Sequence, residues 1–398
     1  MTHAASLAAA QGKRKRLLLV VTAVLVLAGI AWIAWWVVLG RYYEGTDDAY
    51  VGGNVVQITP QAAGTVIAIG ADDTDFVKAG QVLVQLDKAD AKVALERAEA
   101  QLARSVRQVR NMFAVNTQLE AQIDQRKTEL ARGNDDVARR ERAAASGAVS
   151  QEELQHARDA VKTAAAALLA ADRQLAASRV LVDRTTVRDH PDVQNAAAQV
   201  RDAYLAFART AVPSPVAGFV ARRNVQLGQR VSAGSQLMAI VPLEQVWVDA
   251  NFKENQLAGL RLAQSAKLVA DIYGTSVEYH GRLAGFGAGT GGAFALLPAQ
   301  NATGNWIKVV QRVPVRISLD PRELAEHPLQ VGLSMRVEVD THDSGGKRLP
   351  QLARTAPQTE TSVFAAAEDL AGRRIDEIIV ANGGEPARAK TRAAEQVK

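Results

Sequence analysis

The chain contains no cysteine. That absence excludes structural disulfides, thiolate zinc sites and thiol nucleophiles. Aromatic residues make up only 5% of the 398 positions, and a net charge of +5 is weak for that length. No basic stripe with interleaved aromatics appears, so no nucleic-acid partner is expected. The Walker A pattern for binding nucleotide phosphates is missing. Gly287 to Gly292 does satisfy G-x-G-x-x-G, but Pro298, Asn301 and Gly304 follow where a phosphate-facing helix would have to begin, so the stretch reads as a loop. The six histidines are scattered without an H-E-x-x-H pair. Asn301-Ala302-Thr303, a formal glycosylation acceptor, also reads as loop. The expectation is a protein that is not an enzyme and needs no cofactor or metal.

What is present begins with one long apolar run. Leu17 to Leu39 carries no charge, and at about 1.5 Å per residue it is long enough to cross a hydrocarbon core of roughly 30 Å. Trp32, Trp35, Trp36, Tyr42 and Tyr43 gather at its C-terminal end, and Lys13 to Arg16 precede it. Interfacial aromatics and the positive-inside rule predict a single-pass anchor over 17–39, with residues 1–16 cytoplasmic and the bulk of the chain on the far side. A cleaved signal peptide would have a shorter apolar core ending in small residues. No second run approaches this length, and one helix cannot form a transport pathway by itself.

The next signal is an internal repeat at an offset of 154 residues. Gly64, Val66, Val77, Gly80, Leu83 and Leu86 correspond to Gly218, Val220, Val231, Gly234, Leu237 and Ile240. Near-alternating apolar residues predict short strands with one buried face. The glycines mark turns of positive φ or close backbone approach. One copy is too small to bury its own face, but two can close as a sandwich, with a first half at 59–87 and a second at 211–242.

Between the halves, apolar residues recur every seven positions: Leu95, Leu102, Val109, Ile123, Leu130 and Val137, with Asn116 the one polar interruption. The return arm repeats the rule at Leu154, Val161, Leu168, Leu175 and Val182, with Ala157, Ala164, Ala171 and Ser178 three residues after the seam positions. This period predicts an antiparallel coiled-coil hairpin over 88–210. Asn116 is the kind of seam residue that fixes register. Pro191 is expected to end one helix and start another, with a four-residue stutter between Val182 and Val193 and a matching weakness at Gly133-Asn134. The turn falls at 145–150, where Ser146-Gly147 stops the outgoing helix and Ser150 to Glu153 forms a capping box.

After the second half come alternating runs at Val246 to Phe252, Lys267 to Ala270, Trp306 to Val310, Val313 to Leu319 and Met335 to Val339, with a short helix expected near Lys253 to Leu260. They predict a small β-barrel over 243–342, completed by a strand from 42–58. The tail, 343–398, is polar and Gly-, Arg- and Ala-containing; Ala365 to Val380 is amphipathic and is given no role. The expected fold class is multidomain α+β: an N-terminal transmembrane helix, a split β-sandwich whose repeated halves resemble those of a lipoyl domain, a long hairpin and a small barrel.

A lipoyl-like domain split by a helical hairpin resembles the membrane fusion proteins of the HlyD family. The stretches FKENQLAGLR (252–261), DIYG (271–274), FALLPAQNATGNWIKVVQRVPVRI (294–317) and PLQVGL (328–333) are similar to its EmrA subgroup. The resemblance implies an adaptor in the bacterial inner membrane with a periplasmic bulk. It also implies a homo-oligomeric ring, a proton-driven major facilitator transporter and a TolC-type outer-membrane channel as partners, and hydrophobic drugs in transit. An ATP-driven peptide or protein exporter is the alternative engine. In channel-docking members the hairpin tip carries R-x3-L-x6-S; Arg139 and Ser150 match, while Ala143 replaces the Leu. The implied contact region is Arg139, Ala143, Ser146, Gly147, Val149 and Ser150. Asp87-Lys88-Ala89 resembles a biotinyl or lipoyl lysine turn, but the second half does not follow at once, so Lys88 is expected to open a helix.

Overall fold

The computed structural model describes residues 18–34, 40–145, 147–294, 310–349, 355 and 357–383. Helix α1 (residues 18–34) is exposed along its whole length. Leu17, Trp35, Trp36 and Leu39, four of the expected anchor residues, lie outside the described residues. Among the described residues no helix is long and apolar enough to cross a membrane.

The sandwich is built from β2 (Val56–Ile58), β3 (Gly64–Ile69), β4 (Phe76–Val77) and β5 (Val82–Leu86) in the first half, and from β6 (Ala211–Pro213), β7 (Gly218–Arg223), β8 (Arg230–Val231) and β9 (Met238–Val241) in the second. One sheet has the order β2-β9-β7-β4 and the other β6-β5-β3-β8. Exchanging each strand for its repeat counterpart turns one sheet into the other, so the halves are related by a pseudo-two-fold. The relation extends to single hydrogen bonds. Val66 N donates to Gln229 O and Val220 N to Asp75 O, each at 2.9 Å. Gly80 N reaches Ser214 O at 2.8 Å and Gly234 N reaches Pro60 O at 2.9 Å.

The repeat glycines serve two purposes. Gly80 and Gly234 both have φ +82 with open space around them, so only conformation demands glycine there. Gly218 has ordinary φ, but a Cβ would lie 2.6 Å from the Val241 carbonyl oxygen. Both halves contribute to one apolar core, with Val66, Leu83, Leu86, Val220, Leu237 and Ile240 almost completely buried.

The barrel is closed and six-stranded, in the order β1-β10-β13-β12-β11-β14. Its strands are β1 (Tyr43–Gly52), β10 (Trp247–Lys253), β11 (Ser265–Ala270), β12 (Glu278–Phe286), β13 (Arg312–Leu319) and β14 (Ser334–Asp340). Closure leaves no unpaired edge. The segment expected to supply only barrel, 42–58, is divided instead: β1 joins the barrel, while β2 pairs with β9 in the sandwich. Gly52 and Gly53 lie between them, and the chain changes module there. Residues 306–309 of the expected Trp306 to Val310 strand lie outside the described residues. Strand β12 has no counterpart in the sequence reading, because Gly281 and Gly285 dilute its alternation. The helix expected near Lys253 to Leu260 is one 3-10 turn, Gln256–Ala258. The glycine-rich loop carries another 3-10 turn, Gly291–Phe294, and the short helix α5 (Pro321–Glu326) follows β13.

The barrel's open end gathers both chain directions. Thr341 N donates to Tyr42 O at 2.8 Å, and the His342 ring stacks on Tyr42 with centroids 4.3 Å apart. The exit toward α1 therefore lies beside the end of β14.

Candidate functional site: the hairpin and its tip

Asp87 Oδ1 accepts from Ala89 N at 3.0 Å, and Lys92 N donates to Lys88 O. Lys88 accordingly opens helix α2 (Ala89–Ala145) rather than capping a tight hairpin. This helix of 57 residues is about 85 Å long at 1.5 Å per residue. The return path is α3 (Gln151–Arg179) and α4 (Pro191–Ala208). The heptad positions Leu102, Val109, Ile123, Leu154, Leu175, Val193 and Val200 are buried, as are the small residues Ala157 and Ala171 that let the arms approach.

Two expectations along the arms are corrected. The helix α2 runs unbroken through Gly133 and Asn134; a Cβ at Gly133 would lie 3.2 Å from Val161 Cγ2, so this glycine serves close arm-to-arm packing. The return arm has no four-residue stutter, because α3 stops at Arg179 and residues 180–190 are not α-helical. Val182 is buried from a turn, not from a helix. His190 ends the break: its Nδ1 accepts from Asp192 N at 3.2 Å, capping α4 with Pro191 in the first turn.

Asn116 sits level with this break. It is buried, and its Oδ1 is the one buried side-chain oxygen or nitrogen without a hydrogen-bond partner among the described residues. An unpaired buried carbonyl oxygen costs about 1–3 kcal/mol. Asn116→Leu is therefore expected to stabilise the hairpin by about 1–2 kcal/mol, read as a higher urea midpoint at unchanged slope. A lower midpoint would mean that the amide makes a compensating contribution to register.

At the tip, α2 closes with a Schellman motif. Gly147 N donates to Ala144 O at 3.0 Å and Ala148 N to Ala143 O at 3.1 Å, with Gly147 at φ +77. The following helix opens with a complete capping box: Glu153 N donates to Ser150 Oγ, and Ser150 N to Glu153 Oε2, both at 3.1 Å. Opposing end motifs on adjacent helices make a stiff turn.

Arg139 is exposed and donates to Asp136 Oδ1 at 3.1 Å, while Arg140 Nε holds Asp136 Oδ2 at 2.8 Å. Chiefly through the Arg139 hydrogen bond, the Asp136 carboxyl is held below the usual carboxylate range. Arg158 reaches Glu141 across the arms at 2.7 Å. Ala143 and Val149 are half-buried, whereas Gly147 and Ser150 are exposed. Ser146 lies outside the described residues. The sequence reading missed Asp136 and Glu141, since ion pairs at i,i+3 and across arms have no heptad signature. Among the described residues no group of three or more His, Cys, Asp or Glu is placed to hold a metal ion.

Residues 89–210 match the family model described as "EMRA, alpha-helical hairpin domain". The "Multidrug export protein EmrA" of Escherichia coli (strain K12) is 47% identical over 352 residues, covering 88% of this chain and 90% of that protein. This chain belongs to the EmrA family of membrane fusion proteins. The "Fatty acid resistance protein FarA" of Neisseria gonorrhoeae is 48% identical over 370 residues, covering 93% of each chain. The solved "Structure of the periplasmic adaptor protein EmrA" aligns at 16% identity and a TM-score of 0.37, over 75% of this chain and 98% of that one.

Proposed function

We propose that this EmrA-type chain is the periplasmic adaptor of a multidrug-efflux machine. In this reading residues 17–39 anchor it once in the inner membrane, with its N-terminus in the cytoplasm. Copies assemble as a ring beside a proton-driven major facilitator transporter. The hairpin then reaches a TolC-type outer-membrane channel, so hydrophobic drugs pass outward without release.

The observation that carries the proposal is the stiff hairpin of about 85 Å, rooted between the two halves of one sandwich, with its capped turn at the far end. A long rod on small β modules serves to span distance. The exposed α1, with Leu18, Leu25 and Trp32 each more than half exposed, supports a lipid environment for the N-terminal segment. A water-soluble protein would not leave a contiguous apolar helix uncovered. The names of the EmrA and FarA relatives support drugs or fatty acids as cargo.

Within this reading Arg139, Ala143, Ser146, Gly147, Val149 and Ser150 meet the channel. Arg139→Glu is expected to weaken channel capture by about ten-fold, equivalent to about 1.4 kcal/mol, and to lower drug resistance without affecting membrane insertion. Co-purification of both membrane partners from cells expressing the full chain checks this. Channel capture unchanged by Arg139→Glu would remove the tip from the interface. Recovery of an ATP-binding-cassette subunit instead of a multi-span antiporter would replace the proposed engine.

A further inference from the structure

Within the tail, residues Ala365–Ala381 form helix α6, which lies against the hairpin root. We propose that α6, together with the described tail residues 343–349 and 357–364 that precede it, is an intramolecular clasp that sets the angle at which the hairpin leaves the sandwich.

The root is built to receive a third helix. Above Asn116 the arms share a narrow seam of Leu119, Ile123, Ala171 and Leu175. Below it the apolar stripe widens: Val106 and Ala196 join Leu102, Val109, Val193 and Val200, and this wider face packs on Ile375 and Ile379. A two-stranded coiled coil needs only the narrow seam, and the extra positions make sense with a third helix in place. On α6 the matching residues are Ala371, Ile375 and Ile379, one turn apart and buried.

Charge fixes the register of that packing. Arg374 grips Glu99 with two hydrogen bonds of 2.7 and 2.9 Å, the bidentate geometry that gives direction as well as strength. Asp376 pairs with Arg188 at 2.6 Å. At the C-terminal end of α6, Arg110 donates to Asn382 O at 2.9 Å and Arg107 to Asn382 Oδ1 at 2.6 Å, placing cations where the helix dipole favours them.

Described tail residues before α6 also contact the other two modules. Asp343 O accepts from Gln264 Nε2 at 2.7 Å and Lys347 O from Leu262 N at 2.9 Å, both on the barrel. Thr361 Oγ1 then donates to Pro215 O at 2.9 Å, on the sandwich. Without the clasp, the hairpin joins the sandwich through two short links, at Asp87-Lys88 and at Arg209-Thr210. Two parallel links define an axis about which the rod can rock. Attachment of α6 away from that axis removes the rocking motion, and it ties the rod's direction to the barrel.

The absence of native cysteine makes the test direct. Full-length protein carrying Gln108→Cys and Ser265→Cys, both exposed positions, is spin-labelled in detergent and the label-to-label distance distribution is measured. One narrow distribution is expected. Removing residues 360–398 is expected to broaden it at least two-fold while the strand and hairpin circular dichroism persist. Arg374→Glu should broaden it as well, and the swap Glu99→Arg with Arg374→Glu should narrow it again. A folded truncation that keeps the narrow distribution overturns the clasp. If the truncation fails to fold, the charge variants decide: broadening by Arg374→Glu that the swap reverses supports the clasp, and any other result overturns it.

Discussion

Leu83→Ala and Leu237→Ala are each expected to destabilise the protein by about 2–5 kcal/mol, the range for a buried Leu whose removal leaves a cavity. The two costs should agree within about 1 kcal/mol, a spread small beside that range. These leucines occupy equivalent places in the repeat, are 0% and 1% exposed, and share one core. Losses of this size approach the whole stability of a typical domain, about 5–15 kcal/mol, and both arms of the hairpin stand on this core. Export should therefore fail in both variants at growth temperature. Val82→Ala supplies the contrast: Val82 precedes Leu83 on the same strand, β5, but faces outward and is 44% exposed, so its cost should stay near 0.5 kcal/mol. Urea denaturation of the full chain in detergent measures all three. Clearly unequal costs for Leu83 and Leu237 would contradict a core in which the halves are equivalent.

The second large effect lies in the barrel and depends on pH. Tyr279 is fully buried, and its hydroxyl donates to His327 O at 2.9 Å. Burial, aided by nearby Tyr273 and Glu323, pushes its phenol from 10.0 up to about 12. The folded state therefore holds the neutral phenol more tightly than the unfolded state does. Its contribution is fully present below pH 10 and disappears as pH rises from 10 to 12, a loss of about 3 kcal/mol. Tyr279→Phe is expected to cost about 1–2 kcal/mol at pH 8, because His327 O loses its donor, and to remove most of the alkaline loss. Lysine deprotonation affects both proteins equally, so the difference between their stability curves from pH 8 to 12 isolates Tyr279. Parallel curves would place the phenol's titration outside the folding equilibrium.

Much of the architecture was legible because its signals are periodic or repeated. The heptads from Leu95 to Val137 needed no tertiary information, since a seven-residue apolar period has one economical solution. The glycines at 80 and 234 were legible for a similar reason, as a positive φ selects glycine locally. The misreadings occurred where a residue's role depends on a distant partner. Gly133 reads as a helix weakness alone and as a packing contact once Val161 faces it. Val182 continues the count of seven but is buried from a turn. Val56 to Ile58 alternates like the strand before it, yet pairs with β9 because Gly52 and Gly53 redirect the chain.

At the tip, the end motifs around Gly147 and Ser150 were local and readable. The ion pairs at Asp136 and Glu141 were not, because surface charges satisfy many arrangements equally well and only the folded backbone selects one. The tail shows the same limit more strongly. Ala365 to Val380 was recognisable as amphipathic, but nothing in it names the surface it covers.

Sequence alone determined the elements whose physics is local or periodic: an uncharged apolar run, a duplicated half-domain, two heptad arms and a capped turn. Tertiary structure decided how they are joined. It paired β2 with β9, divided the return arm at residues 180–190, and seated α6 on the hairpin root. The physical reason is that periodicity specifies which face of an element must be buried, whereas the partner that buries it is chosen by the geometry of the whole chain.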